Sequence, residues 1–418
     1  MIKFLYFLIP HLLSISFGKL SDMIVNKVTG IIYRRSENKK IEEESERLKK
    51  HHRILSLSHY KPVIEELDNS DKLFIPFPKE YEEEVNKYNP MFLQDAIPNW
   101  LIFKNGKKQV PDDLAKLLYE GIKQAKDCYS DKEKGLDPIT AEEIKTIILQ
   151  SRDSVAKDFV DQLKKGFIRF NGIMYGVKDI NNDESKKESR ITLFTTDYFT
   201  NRVMNEVYKS LAERKAIKDF DSLNLVKIFY PLMTALGVDV IIQLQNRTTM
   251  LVRRSELLPN MDEKKPLWHV SMNEAISHTD YADDDRNEKF IDLERCLVRG
   301  LYEELHIPKN AISLKTARFD DVYFLMSKCE IGIASTVKLK RNVTEELIRF
   351  AHYGAKDSML ESKETMKTVT LTPDGIKQFI KEQDEKINDD IKDVDKPEIW
   401  GISESCRYVL TMMMCRMH

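Results

Sequence analysis

Two adjacent glutamates, Glu303 and Glu304, follow Arg299 by four and five residues. Mg²⁺ prefers oxygen ligands and commonly binds through one or two carboxylates together with substrate phosphates. An arginine beside such a pair can bind phosphate through its guanidinium. The spacing therefore indicates phosphate chemistry, with Glu303 and Glu304 as candidate Mg²⁺ ligands and Arg299 as a candidate phosphate ligand. The alternative is a solvated helix face, on which Arg299 and Glu303 form an ordinary pair four residues apart.

The element that must position these side chains is a predicted amphipathic helix. Positions 300, 303 and 304 share one face of such a helix, because residues three and four apart are neighbours. Gly300 supplies no carboxylate there, and it costs about 1 kcal/mol of helix propensity relative to alanine, which favours a close backbone approach at this point. The apolar stripe that predicts the helix consists of Phe290, Leu293, Leu297, Leu301 and Leu305.

A second segment, Trp268 to Ile276, supplies further candidate ligands. Trp268 could stack on a base, with Ser271 and Glu274 as polar ligands, and we expect a pocket between Trp268 and the Arg299 helix. A single tryptophan is more often a core residue, which is the alternative. Upstream, residues 238–244 and 250–253 predict two short strands.

The segment Arg299 to Ile307 resembles the second half of the Nudix box, Gly-x5-Glu-x7-Arg-Glu-U-x-Glu-Glu-x-Gly-U, where U is aliphatic. Gly300 stands where the family has its first glutamate of this half, and His306 where it has glycine. The chain is also similar to a bacterial Nudix-like variant that has a Ser-Val-x-Glu segment, an aspartate-rich loop and an Arg-Gly-x-x-Glu-Glu helix. The residues that carry this similarity are Ser271, Glu274, Asp280, Asp283 to Asp285, and Arg299 to Glu304.

This resemblance covers about residues 222–418. It implies a C-terminal Nudix-like α/β/α sandwich with a degenerate site, weak Mg²⁺ binding at Glu303 and Glu304, and Glu304 as the catalytic residue if the site is active. Trp268, Ser271, Glu274 and Arg299 would then bind the ligand.

Charge and cysteine content limit the classes of function that this protein can have. The 418 residues carry 66 Lys and Arg against 68 Asp and Glu, so no basic surface argues for binding duplex nucleic acid. The five cysteines are odd in number and lack Cys-x2-Cys spacing, which indicates neither a disulfide framework nor a zinc site and favours the cytoplasm for the body of the protein.

The amino terminus differs from the rest of the chain. Phe4 to Gly18 is uncharged and apolar, although shorter than the roughly 20 residues of a full span. Arg34 and Arg35 flank it, so a membrane helix here would leave the following residues in the cytoplasm. The alternatives are a cleaved signal peptide, with Ser16 and Gly18 at the small positions, and a buried core helix.

The predicted organisation is a membrane anchor over residues 1–35, a charged linker helix over 36–59, a smaller α/β unit over 60–215 and the Nudix-like domain over 222–418. Within the α/β unit, regularly spaced apolar residues between Ile144 and Leu163 predict an amphipathic helix. Phe167 to Val177, with Asn171 and Gly172 at its centre, predicts a hairpin with a type I′ turn.

Three function classes remain open. The arrangement resembles bacterial antiphage effectors of cyclic-oligonucleotide signalling (CBASS), which join transmembrane segments to a Nudix-like domain. That resemblance implies a membrane-anchored sensor that binds a nucleotide second messenger without hydrolysing it, and we expect a homo-oligomer. The second class is a Mg²⁺-dependent hydrolase of nucleoside-diphosphate-linked substrates. The third is a scaffold that binds only protein.

Overall fold

A computed structural model describes residues 39, 42–50, 52–66, 72–90, 101–104, 107–109, 111–128, 136–166, 171–218, 222–254, 267–283, 289–352, 361–390 and 401–417. The chain divides into two compact units, Met1–Lys49 and Lys50–His418. The predicted anchor, Phe4 to Gly18, lies outside the described residues. Among the described residues, no helix combines the length and apolar character needed to cross a membrane.

The described helices are spread along the whole chain and were predicted in part from apolar periodicity. They are α1 (residues 42–50), α2 (Lys79–Tyr88), α3 (Pro111–Cys128), α4 (Ala141–Lys164), α5 (Tyr198–Glu213), α6 (Leu223–Ile228), α7 (Leu293–Leu305), α8 (Glu345–His352), α9 (Pro373–Asp390) and α10 (Glu404–Arg416). Short 3-10 helices cover Tyr230–Leu232, His278–Asp280 and Lys309–Ala311.

The described strands are interspersed with these helices, so the protein is a mixed α/β protein, as the sequence predicted. They are β1 (Arg53–Ser56), β2 (Lys61–Glu66), β3 (Lys72–Phe74), β4 (Leu101–Lys104), β5 (Lys107–Gln109), β6 (Ile173–Asp183), β7 (Glu188–Asp197), β8 (Leu236–Gln243), β9 (Thr248–Arg254), β10 (Leu267–His269), β11 (Met272–Ala275), β12 (Tyr281–Asp283), β13 (Lys289–Ile291), β14 (Ile312–Leu325), β15 (Glu330–Leu339), β16 (Glu361–Thr370) and β17 (Gly401–Ile402).

The candidate site rests on a five-stranded sheet with the order β1-β14-β15-β8-β11. Strand β8 runs parallel to β15 and antiparallel to β11, which forms the edge. The apolar residues of β8 and β15 are buried, which makes the centre of this sheet part of the core. A four-stranded sheet, β16-β9-β10-β17, holds the segment around Trp268.

An eight-stranded sheet joins segments that the sequence assigned to different units. It contains β2 to β7 and also β12 and β13, and Ile291 of β13 pairs with Ile64 of β2. Strand β1, which falls in the predicted linker over residues 36–59, pairs antiparallel with β14 of the five-stranded sheet. The eight-stranded sheet thus contains strands from both predicted regions, 60–215 and 222–418, and both regions lie in the unit Lys50–His418.

Three local predictions can be compared with the structure. The amphipathic helix is present as α4, which begins with a capping box between Thr140 and Glu143. The charged linker helix ends early, because residues 42–50 are helical but Arg53–Ser56 is strand β1. The predicted second strand of the Asn171 hairpin is present as the start of β6, which begins at Ile173 and turns back after Asp183 to pair with β7. The predicted first strand includes residues 167–170, which lie outside the described part, so the hairpin stays a prediction.

Candidate functional site

Helix α7 carries the glutamate pair and forms where the apolar stripe predicts it. Asp292 caps its first turn by accepting a hydrogen bond from the backbone N–H of Glu294 at 2.9 Å. Leu293, Leu297, Leu301 and Leu305 are buried, which leaves the glutamates on the other face. Cys296 is also buried, and burial together with the nearby Asp280 raises the pKa of its thiol, so it belongs to the core.

Gly300 lies where α7 packs closely against strand β11. A Cβ atom at this position would lie 2.7 Å from Cε of Met272 and 2.8 Å from Cβ of Glu274. Distances this short are not tolerated, so any side chain at position 300 requires the helix or the strand to move. The packing of α7 against β11 therefore leaves no room for a side chain at position 300.

Arg299 is the centre of a charged cluster that we call the Arg299 cluster: Glu274, Asp280, Arg299 and Glu303. Its guanidinium donates to both carboxylate oxygens of Asp280 at 2.9 Å and to the carbonyl oxygen of Ala275 at 2.8 Å. It also forms ion pairs with Glu274 at 2.9 Å and, more loosely, with Glu303 at 3.5 Å. One guanidinium thus joins α7 to β11 and to the 3-10 helix His278–Asp280.

The electrostatics of the cluster follow from its burial. The side chain of Asp280 is 1% exposed, and its carboxylate is paired with Arg299 and accepts from the backbone N–H of Ser277 at 2.9 Å, as a buried charge requires. Burial by itself would lower the pKa of Arg299, but the hydrogen bonds to Asp280 and the charge of Glu274 outweigh burial and raise it above its ordinary value. Three carboxylates against one guanidinium leave the cluster negative, which repels a phosphate unless another cation is present.

Glu304 faces a different partner from Glu303. Its carboxylate accepts a hydrogen bond from the backbone N–H of Asn273, at 3.3 and 3.2 Å to its two oxygens. Its carbonyl oxygen accepts from Nδ1 of His352 at 3.0 Å, which satisfies one of the free carbonyls at the end of α7. Both contacts are structural, and they tie α7 to β11 and to α8.

The helix ends at His306, which has φ 54° and ψ 31°. This left-handed conformation favours glycine, the residue that the Nudix pattern has at the matching position. The ring of His306 stacks on Tyr302 with centroids 4.9 Å apart. The helix thus ends in a conformation that glycine adopts more easily than histidine does.

Asp239 is a polar residue of this region that sequence reasoning missed. It lies fully buried in the middle of β8, where its carboxylate accepts from Nδ2 of Asn273 at 2.7 Å and from the hydroxyl of Tyr323. Burial, reinforced by this carboxylate, raises the pKa of Tyr323. The signal that could have revealed it is a charged residue within the apolar run from Val238 to Ile242, since a buried charge requires partners.

The other predicted ligand residues do not join the Arg299 cluster. Trp268 is buried in β10, where its backbone pairs with Arg253 of β9 and Ile402 of β17. Ser271 is fully buried; its hydroxyl accepts from the backbone N–H of Ile242 and lies 3.1 Å from that of Thr249. Of the aspartate-rich loop, Asp280 belongs to the cluster, and residues 284 and 285 lie outside the described part.

The residues present do not fit a resident magnesium ion. Glu274 and Glu303 face Arg299, the carboxylate of Glu304 faces a backbone N–H, and position 300 has no room for another acid. The described ranges also contain no group of three or more His, Cys, Asp or Glu side chains arranged to hold a metal. Weak Mg²⁺ binding at Glu303 and Glu304 stays a prediction.

A cavity of about 480 Å³ lies next to the cluster and shares Glu274 with it; Asn273 and Ala275 of β11 also line the cavity. Its remaining lining comes from α4, α5, the adjoining parts of β6, β8 and β15, and the turn that connects β14 to β15. Neither its position nor its lining was predicted, because the contributing segments are separated by up to about 180 residues in the sequence.

The chain matches no protein-family model and no curated protein. Among solved structures, it is similar to the crystal structure of DR0079 from Deinococcus radiodurans, with 14% identity and a TM-score of 0.21 over 35% of this chain and 72% of that chain. A likeness at this score carries no argument about function.

Proposed function

We propose that this protein binds a phosphorylated nucleotide without hydrolysing it, and that it acts as a membrane-associated effector in antiphage defence. The observation that carries the proposal is the contact of Gly300 with β11, which excludes a third carboxylate beside Glu303 and Glu304. Hydrolysis by a metal-activated water needs an ion held by several oxygen ligands. A Nudix-like helix that has lost this ligand set retains its role in shaping a binding site.

The sensor role requires differential binding. A ligand shifts an effector between two states only by the difference in its affinity for them. Arg299 supports such a role as a positioning residue, because it joins α7, β11 and the 3-10 helix His278–Asp280 through one guanidinium. We propose that ligand binding near β11 changes this junction, and that a homo-oligomer transmits the change to the membrane segment Phe4 to Gly18.

Calorimetry on the purified full-length chain tests the binding step. The panel contains cyclic di- and trinucleotides and AMP, each with and without Mg²⁺, and turnover of ADP-ribose and dinucleoside polyphosphates is followed in parallel. We expect binding of at least one nucleotide tighter than the millimolar range, and no product. Strong Mg²⁺-dependent hydrolysis that is lost in Glu304→Gln would replace the sensor by a hydrolase.

Cell fractionation tests the membrane step separately. We expect the full-length chain in the membrane fraction and a variant lacking residues 1–35 in the supernatant, because the uncharged run is followed by Arg34 and Arg35. Recovery of the full-length chain in the supernatant without detergent would reject the anchor and leave the nucleotide-binding proposal intact.

A protein-binding scaffold is the second candidate, and one observation favours it. Helix α8 exposes two large apolar side chains, Leu347 at 53% and Phe350 at 80%. If no nucleotide binds, and Phe350→Ser abolishes protection in cells while the protein stays folded, the scaffold replaces the sensor.

A further inference from the structure

The cavity beside β11 has the size of a small-molecule site. Its volume of about 480 Å³ falls in the range of about 300–1,000 Å³ that is usual for such sites. All of its lining residues belong to the unit Lys50–His418. A ligand bound here would contact α5 and the edge of the five-stranded sheet at the same time.

Two asparagines of α5 give the cavity hydrogen-bond acceptors. Oδ1 of Asn205 is buried and has no hydrogen-bond partner within the described part of the chain. Asn201 donates from Nδ2 to the hydroxyl of Thr234 at 3.0 Å, so the amide oxygen is the atom it can offer to a donor. A buried acceptor without a partner is destabilising, and a ligand N–H group at this position would offset that cost.

Three cations line the same cavity. Lys328 forms no salt bridge with any residue that the structure describes, whereas Lys209 contacts Glu206 at 3.3 Å and Arg202 contacts Asp158 at 3.4 Å. Both ion pairs are long, and a guanidinium has five N–H groups, so Arg202 can keep Asp158 while donating elsewhere. A phosphate near Lys328 would therefore meet positive charge.

Three acids of the lining already face cations: Asp158 and Glu206 face Arg202 and Lys209, and Glu274 faces Arg299. At the turn, Glu330 stands two residues from Lys328, and the carboxylate of Glu404 accepts from the backbone N–H of Ser327. Lys328 is the cation of the lining that forms no salt bridge within the described chain, so it is the group to which a phosphate would bind.

Tyr198 adds an aromatic surface to the lining. The ring of Tyr198 packs against Phe159 with centroids 5.5 Å apart, and this contact restrains the orientation of the Tyr198 ring. A base that stacks on such a ring gains affinity, and this stacking tolerates different bases.

We propose that this cavity binds a nucleotide or one nucleotide unit of a larger ligand, with the phosphate at Lys328, the base near Tyr198 and an exocyclic amine of the base donating to Oδ1 of Asn205. The inference rests on the proposed function and names its site. It places recognition outside the Arg299 cluster, and it predicts a preference for bases that carry an amine.

The test compares three probes on the full-length protein by calorimetry: AMP, IMP, which lacks the exocyclic amine, and ribose 5-phosphate. We expect AMP to bind about tenfold more tightly than IMP, equivalent to about 1.4 kcal/mol. Lys328→Glu should weaken AMP and ribose 5-phosphate at least about tenfold. Asn205→Leu should remove the preference for AMP over IMP and leave ribose 5-phosphate unchanged.

The matched control is Lys340→Glu, which makes the same change of charge at an exposed position outside the cavity and should leave all three affinities unchanged. Circular dichroism confirms that each variant is folded. Nucleotide binding that is unaffected by both Lys328→Glu and Asn205→Leu would overturn the site while the proposed function stands. Absence of any nucleotide binding tighter than the millimolar range would overturn both.

Discussion

The Arg299 cluster and the cavity share strand β11 but differ in how their polar groups are used. In the cluster, the guanidinium of Arg299 contacts Asp280, Glu274, Glu303 and a backbone carbonyl. In the cavity, Oδ1 of Asn205 has no partner within the described chain, and Lys328 forms no salt bridge there. The residues that most resemble a reactive motif thus hold the structure together, whereas the groups with spare bonding capacity lie in a region without a motif.

Arg299→Ala tests the cluster as a structural junction and has the largest expected effect. It would leave the buried carboxylate of Asp280 and that of Glu274 without their counter-charge. Removing one partner of a buried pair costs about 3–5 kcal/mol, so we expect the free energy of unfolding in urea to fall by about this amount. Arg299→Lys is the control, because it keeps the charge but loses the paired hydrogen bonds. A loss near that of an exposed pair, below about 1 kcal/mol, would favour Arg299 as a phosphate ligand instead.

Gly300→Glu restores the acid of the Nudix pattern and should damage the fold. Its Cβ would overlap with Met272 and Glu274, and overpacking costs about 1–3 kcal/mol before the buried charge is added. We expect a lower thermal midpoint and no Mg²⁺-dependent hydrolysis, with Gly300→Ala as a smaller change of the same kind. A variant as stable as the wild type that hydrolyses ADP-ribose would show that the cluster can still accept a metal.

Glu404→Gln tests the cavity, because the carboxylate of Glu404 holds the turn that carries Lys328. The carboxylate of Glu404 accepts from the backbone N–H and hydroxyl of Ser327, at 2.9 and 2.6 Å, and lies 3.2 Å from Nδ1 of His52. Burial by itself would raise the pKa of Glu404, but the hydrogen bonds from His52 and Ser327 outweigh it and lower the pKa. A lowered pKa stabilises the folded state above the ordinary glutamate range, and this contribution is lost as the pH falls through the lowered value.

We therefore expect Glu404→Gln to cost about 1.5–3 kcal/mol at neutral pH, and the difference from wild type to disappear in acid. Urea denaturation at several pH values measures both. An effect of equal size at all pH values would mean that the charge of Glu404 is not what holds the turn.

His306→Gly has the smallest expected effect, and it is stabilising. A left-handed residue other than glycine costs about 1–2 kcal/mol, and the greater flexibility of glycine in the unfolded chain returns about 0.5–1 kcal/mol of this. The stack on Tyr302 is lost as well, so we expect the free energy of unfolding to rise by less than about 1 kcal/mol. Thermal denaturation of both proteins measures this difference. A clear loss of stability would show that the stack, and not the backbone, determines the residue at this helix end.

The sequence by itself determined the elements whose signals are local. The apolar stripe predicted α7, the spacing of Ile144 to Leu163 predicted α4, and the close backbone approach inferred from Gly300 agrees with its packing on β11. These predictions succeed because helical periodicity and glycine placement depend on neighbours within a few residues. The near balance of charges and the lack of a Cys-x2-Cys pattern were likewise read from the sequence alone.

Only the tertiary structure decided which polar groups meet. Arg299 could have faced a ligand, but the position of Asp280 and Glu274 around it commits its guanidinium to the fold. His52 lies in a charged run of the sequence but is buried against Phe324 and Glu404 in the structure. The cavity is lined by α5, by β11 and by the turn at Lys328, which lie far apart in the sequence. No local sequence pattern specifies that these segments meet, because their contact depends on how the sheets and helices pack together.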